Sequence, residues 1–177
     1  MKKRGEYAVR LSGLKEGIFE LTYHIGNPFF ECHPHPDISG GAVDVKITVQ
    51  KRSDLLVLHL MLQGAVRVVC DRCLDYYLQT IQADQEIYFK YGDHEEELDG
   101  NVIMIARDAH EIIIDQYLYE YIVLALPIKK VHPDGPGGVP GCNQEMIQKL
   151  NQHLVKEEHQ AIDPGWEVLK QIIEKTN

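Results

Sequence analysis

Two cysteines separated by two residues, Cys70-Asp-Arg-Cys73, are the residues whose type and spacing come nearest to chemistry. A tetrahedral metal ion needs sulfur ligands about 3.5–4 Å apart, and a tight two-residue turn aims both thiolates at one point. The flanking segments alternate as strands, so the turn has the shape of a zinc knuckle. Two further ligands are needed to close such a site. Cys142 is the obvious third, and His132 is the fourth, because it opens the Gly/Pro-rich loop HPDGPGGVPG that ends just before Cys142. Two other readings of the pair stay open: reduced thiols on a hairpin, and a redox CxxC. The redox reading is the weaker, since such a motif belongs between a strand and a helix, and this one precedes a long strand. Cys32-His33-Pro-His35 is a second candidate, but Pro34 and Pro36 extend the segment and separate the ligands, which favours an exposed loop.

Enzyme signatures are missing. Gly135, Gly137 and Gly138 lie among prolines, with no Lys-Ser/Thr after them, so they make no phosphate loop. There is neither a G-x-S-x-G elbow nor an HExxH pair. Asp71 and Asp75 flank the cysteines as solvated carboxylates. Tyr76, Tyr77, Tyr117, Tyr119 and Tyr121 sit at strand or helix spacing, which favours core or half-buried roles. Base recognition by aromatics needs an exposed sheet face with basic neighbours, and sequence alone does not supply that arrangement.

The elements that must position the cysteines are legible from periodicity. The chain has 177 residues, 44% of them hydrophobic and 25% charged, ordinary values for one globular domain with a real core. Tyr7 to Ile25 reads as two short strands around the Ser12–Gly17 turn, and NPFFECHPHPD as a loop. Val43, Val45, Ile47 and Val49 alternate with polar residues, giving a strand with one buried face. Asp54 to Leu62 is nearly all apolar and predicts a central strand covered on both faces. Gln63-Gly64 is then a bulge or turn before a further strand, Ala65 to Cys70. A long strand follows the knuckle through Tyr91. The acidic run Asp93–Asp99 reads as a solvated loop, with a partner-binding role as the minor option.

Asp115 is the expected N-cap of a helix bearing Leu118, Tyr121 and Ile122, and Pro127 stops it. Asn143 caps another helix, with Ile147, Leu150 and Leu154 on its apolar face. Asp163-Pro164 opens a last one carrying Trp166, Leu169, Ile172 and Ile173, a core-packing helix before a docking arm. The fold class is therefore α+β: an antiparallel β meander packed with C-terminal helices. It forms one domain over 1–177, mainly strands over about 5–92 and mainly helices over about 111–177.

The net charge is −9. A polyanion-coating protein carries a basic face, so general RNA coating is disfavoured and no DNA partner is expected. The basic start MKKRGEYAVRLSGL has no apolar stretch behind it, and no run is long enough to cross a bilayer. The expectation is a soluble cytoplasmic protein with reduced cysteines and no membrane partner. Arg67, Arg72, Lys129 and Lys130 are candidates for contact with RNA or a partner. If His132 folds back to the cysteines, Arg72, Lys129 and Lys130 come together. The competing reading is scattered solubilising charge.

The segment VRVVCDRCL, Val66–Leu74, resembles the signature of the YceD family, a strand leading into C-x-R-C and then a long strand. LALPIKKVH, Leu124–His132, followed by Cys142 is a second point of similarity. DPGWEVLKQI, Asp163–Ile172, resembles the family's terminal Asp-Pro helix, and GLKEGIFELTYHIGNPFFE, Gly13–Glu31, its N-terminal strands. The resemblance implies a non-enzymatic protein that supports accumulation of the large-subunit ribosomal RNA. Its partner is then a precursor of the large subunit, through the RNA or an associated protein. The resemblance matches Cys70, Cys73, Cys142 and His132 to the family's cysteines and histidine, with zinc as a structural cofactor. The spacer between His132 and Cys142 is longer than in the bacterial pattern, and Cys32 matches no family position. The alternative is a metal-dependent or redox enzyme using Cys70 and Cys73.

Overall fold

A computed structural model describes residues 6–92, 96–99 and 102–154. The expected terminal helix from Asp163 lies outside the described residues. In chain order the elements are β1 (Ala8–Arg10), β2 (Gly17–Ile25), α1 (Asn27–Cys32), β3 (Ile38–Lys51), β4 (Leu55–Val69), β5 (Tyr76–Gly92), β6 (Glu96–Asp99), β7 (Val102–Ala106), β8 (Glu111–Ile113), α2 (Asp115–Leu124) and α3 (Gln144–His153). A short 3-10 turn spans Pro136–Gly138. The α+β class holds.

Six strands make one sheet in the order β2-β3-β4-β5-β7-β6, and β1 pairs with β8 in a separate two-stranded sheet. The first four strands of the large sheet are the expected antiparallel meander. The remainder is not: β7 runs parallel to β5, with Tyr88 opposite Val102, and β6 pairs antiparallel on its far side. The sheet is therefore mixed. A parallel neighbour requires a crossover instead of a tight turn, and part of the acidic run forms that crossover's outer strand, not a loop.

β4 corrects two further expectations. It is one uninterrupted strand of 15 residues, without a turn at Gln63-Gly64. Its burial alternates, with Leu56, Leu58, Leu60, Leu62, Val66 and Val68 inside, so one face is covered, not both. Gly64 is required by a neighbour, not by a turn. A Cβ there would collide with the Ala42 carbonyl and lie 2.7 Å from the Val43 Cα. Gly41 faces the same constraint from Ala65 and Val66.

The buried face of the sheet packs with Phe29 and Phe30 of α1, Val9, Ile112, and Leu118, Tyr121 and Ile122 of α2 in one apolar cluster. Pro28 sits in the first turn of α1, where its missing N–H costs nothing. Part of the expected loop is thus a helix. Asp115 is the first residue of α2, not its N-cap, which is Ile114. It is buried and accepts the Tyr7 backbone N–H at 2.9 Å, pinning the start of β1. Asn143 does cap α3, accepting from the N–H groups of Glu145 and Met146. α3 has no buried residue, so of the two described C-terminal helices only α2 is part of the core. One end of β5 adjoins the Cys70–Cys73 turn; the other lies beside β7 and the strand carrying Glu96, Glu97 and Asp99.

Candidate metal centre

β4 and β5 pair in continuous register from Leu55 opposite Lys90 to Val69 opposite Tyr76. That register forces the intervening residues to reverse the chain. Within the turn, the Cys70 N–H donates to the Asp75 carbonyl at 2.9 Å, and the Leu74 N–H to the Cys70 carbonyl at 3.0 Å. The Arg72 N–H reaches the Cys70 Sγ at 3.5 Å. Leu74 completes the reversal at φ +63°, a left-handed conformation that few side chains adopt.

The loop after α2 folds back on this turn. The Asp71 N–H donates to the Lys130 carbonyl at 2.7 Å, and the Lys130 N–H to an Asp71 carboxylate oxygen at 2.6 Å. The Lys130 ammonium lies 3.5 Å from both Asp37 and Asp71. His132 follows, its ring 4.7 Å from that of Tyr77 between centroids. On the other flank the Asn143 amide donates to Asp75 at 3.0 Å, holding the residue next to Cys142 against the same turn.

Cys70, Cys73, His132 and Cys142 are thereby gathered so that their ligand atoms all lie within 4.8 Å of one another. Cys70 Sγ and Cys142 Sγ are 3.8 Å apart, and Cys73 Sγ is 3.3 Å from His132 Nδ1. Metal–sulfur bonds of about 2.3 Å at a tetrahedral ion put two sulfurs about 3.8 Å apart, and a sulfur and an imidazole nitrogen about 3.5 Å apart. The quartet fits that geometry and could hold a metal ion. All three thiols are buried.

The electrostatics sort the thiols. At Cys70, burial opposes ionisation, but N–H groups of Cys73, Arg72 and His132 and the imidazole of His132 outweigh it and bring the thiol down to about 6. At Cys142, burial, then the hydrogen bond and charge of Cys70, push the thiol up to about 11. Cys70 is thus the more readily ionised of the pair.

The other candidates separate. Cys32 and His33 end α1 and begin the next loop, not an exposed ligand run. His33 is buried, and its Nδ1 donates to the Phe29 carbonyl at 3.1 Å. Its ring lies 4.5 Å from Phe29 and 5.6 Å from Tyr119, so it is a packed histidine. Of the basic residues, Lys130 is engaged by two carboxylates, whereas Arg72 and Lys129 are exposed on adjoining segments. Arg67 lies over the Tyr76 ring, 4.6 Å from its centroid. Sequence reasoning missed Asp71, Asp75 and Asn143 as the groups that tie both loops to the knuckle. Their partners are 59 or more residues away, and only the polar side chains flanking Cys73 and Cys142 hinted at them.

In this α+β chain a β hairpin turn and a returning loop bring together a Cys3His quartet that could hold a metal ion. Residues 58–173 match the family model described as large ribosomal RNA subunit accumulation protein YceD; the chain belongs to that family. The match covers the knuckle, the loop with His132 and Cys142, and most of the C-terminal region. The family's description names accumulation of the large ribosomal RNA subunit and no reaction. No curated protein and no solved structure matches the chain. Among the described residues no helix is long and apolar enough to cross a membrane.

Proposed function

We propose that this chain is a non-enzymatic cytoplasmic factor in accumulation of the large-subunit ribosomal RNA, folded as one domain around a structural zinc ion. The ligands are Cys70, Cys73, Cys142 and His132. The observation that carries the reading is the completeness of this quartet. Four protein ligands close a tetrahedral site, whereas a catalytic zinc keeps one position for water or substrate. Three thiolates and an imidazole are the donors that zinc takes in structural sites. The ion joins the β4–β5 turn to the loop after α2, so binding energy becomes folding energy for both.

The contact with the subunit precursor, through its RNA or a bound protein, lies beside the knuckle. Arg67, Arg72 and Lys129 serve it, while Lys130 spends its charge on Asp37 and Asp71. The family membership supports the process, and the local cations support a limited contact on a chain of net charge −9. The test is a deletion strain analysed on ribosome gradients. The expected result is a lower ratio of large to small subunits, restored by the wild-type gene. An unchanged ratio at normal and low temperature overturns the role. Metal analysis of protein purified without chelator is expected to find one zinc per chain, and finding no stoichiometric ion overturns the site.

A further inference from the structure

The outer face of the sheet changes character near the knuckle. Over most of its length it is polar, with His24 paired to Asp44 and His59 to Asp84 across neighbouring strands. At the β4–β5 tip it is apolar and aromatic. Tyr76 is 53% exposed, Leu78 66% and Leu74 64%. Register places Tyr76 opposite Val69 and Leu78 opposite Arg67, so these side chains share one face. The Arg67 guanidinium is already stacked on the Tyr76 ring at 4.6 Å.

Beside them lies an open hollow of about 340 Å³, floored by Gly40, Gly41, Ala42 and Ala65 and walled by Arg67 and Leu78. Ala42 and Ala65, opposite each other in register on this face, keep the floor low. Asn27 and Ser39 supply polar groups at its edge.

We propose that this face, with Arg67, Tyr76 and Leu78 at its centre, is a stacking platform for unpaired bases of single-stranded RNA. The inference rests on the large-subunit role proposed above and names the chemistry of its contact. Aromatic rings and guanidinium planes stack bases without demanding a sequence. Apolar side chains flank the stack, and the hollow accepts a base edge beside it. Charge suits a polyanion, and the exposed ring with its stacked guanidinium favours bases over an acidic protein surface. Among the described residues Arg67, Arg72 and Lys129 form no ion pair, Lys130 meets both Asp37 and Asp71, and Asp75 accepts from the neutral Asn143 amide. Duplex RNA is a poor occupant, because its bases offer no free faces.

The experiment uses the full chain with its metal retained and a fluorescein-labelled 12-nucleotide single-stranded RNA of mixed sequence, alone and annealed to its complement. The platform predicts binding of the single strand in preference to the duplex. Tyr76→Ala should weaken it by roughly 5- to 150-fold, the range for loss of one stacked base. Tyr76→Phe should bind nearly as wild type, and Arg67→Ala should lose affinity as well. Tyr76 lies outside the core, and matching melting temperatures would show that the variants fold. Absence of binding, equal binding of the duplex, or unchanged affinity of Tyr76→Ala overturns the platform. So does a Tyr76→Ala protein that keeps its RNA affinity yet loses a ribosomal protein in pull-downs, which makes the face a protein site. If deletion lowers the subunit ratio while Tyr76→Ala binds RNA and complements fully, the platform falls and the proposed role stands. If Tyr76→Ala loses RNA while deletion leaves the ratio unchanged, the platform stands and the role falls.

Discussion

Cys142 is the residue on which the two halves of the candidate metal centre depend, since it reaches Cys70 from 72 residues away. Cys142→Ser should abolish stoichiometric metal and cost on the order of 4 kcal/mol, as losses of structural metals do. The checks are elemental analysis and denaturant unfolding, against Cys32→Ser as a control that keeps its metal. Acid should act in the same direction. Protons compete with the ion for three thiolates and an imidazole, so each proton displaced on binding makes affinity rise about tenfold per pH unit. Chelator competition at pH 6 and pH 8 should show much the tighter binding at pH 8. At this scale the sequence was informative. The spacing of Cys70 and Cys73 marked the turn, and the Gly/Pro-rich loop between His132 and Cys142 marked the two further candidates, which return to it from 59 and 72 residues away. Sequence reasoning misplaced Asp115, whose type suits a helix cap. Its partner, the Tyr7 N–H, is 108 residues away. Asp115→Ala should leave that buried donor unpaired and lower stability by about 1–3 kcal/mol, read by thermal unfolding.

Elements were harder to read where the constraint comes from a neighbouring strand. Gly64 looks like a turn residue by local rules, yet it sits inside a straight ladder because the β3 backbone passes too close for a Cβ. Gly64→Ala should therefore destabilise by about 1–3 kcal/mol through overpacking, whereas a turn glycine with a negative φ would tolerate alanine. Melting curves of the variant decide between the two. The acidic run was misread for a related reason. Charged residues fit poorly with a strand by propensity, but an edge strand such as β6 tolerates charge, which also discourages pairing with other chains. The long strand after the knuckle, the Asn143 cap and the first meander strands were all legible, because period-two alternation and capping chemistry are written locally.

For the whole molecule, the balance of charge matters more than its sum. A protein that meets RNA through three cations, Arg67, Arg72 and Lys129, should show a shallow salt dependence. A slope of log affinity against log salt near about −2 is expected for single strands, measured by titrating the labelled RNA at several salt concentrations. A slope several times steeper would mean a basic surface beyond the knuckle. The net charge of −9 is not spread evenly, because Arg67, Arg72 and Lys129 are exposed around the knuckle and form no ion pair among the described residues. In the field of a large polyanion a chain charged so unevenly should experience a torque as well as a net repulsion. On the proposed role it would be turned knuckle-first before contact, which would make the encounter orientationally selective without any added affinity.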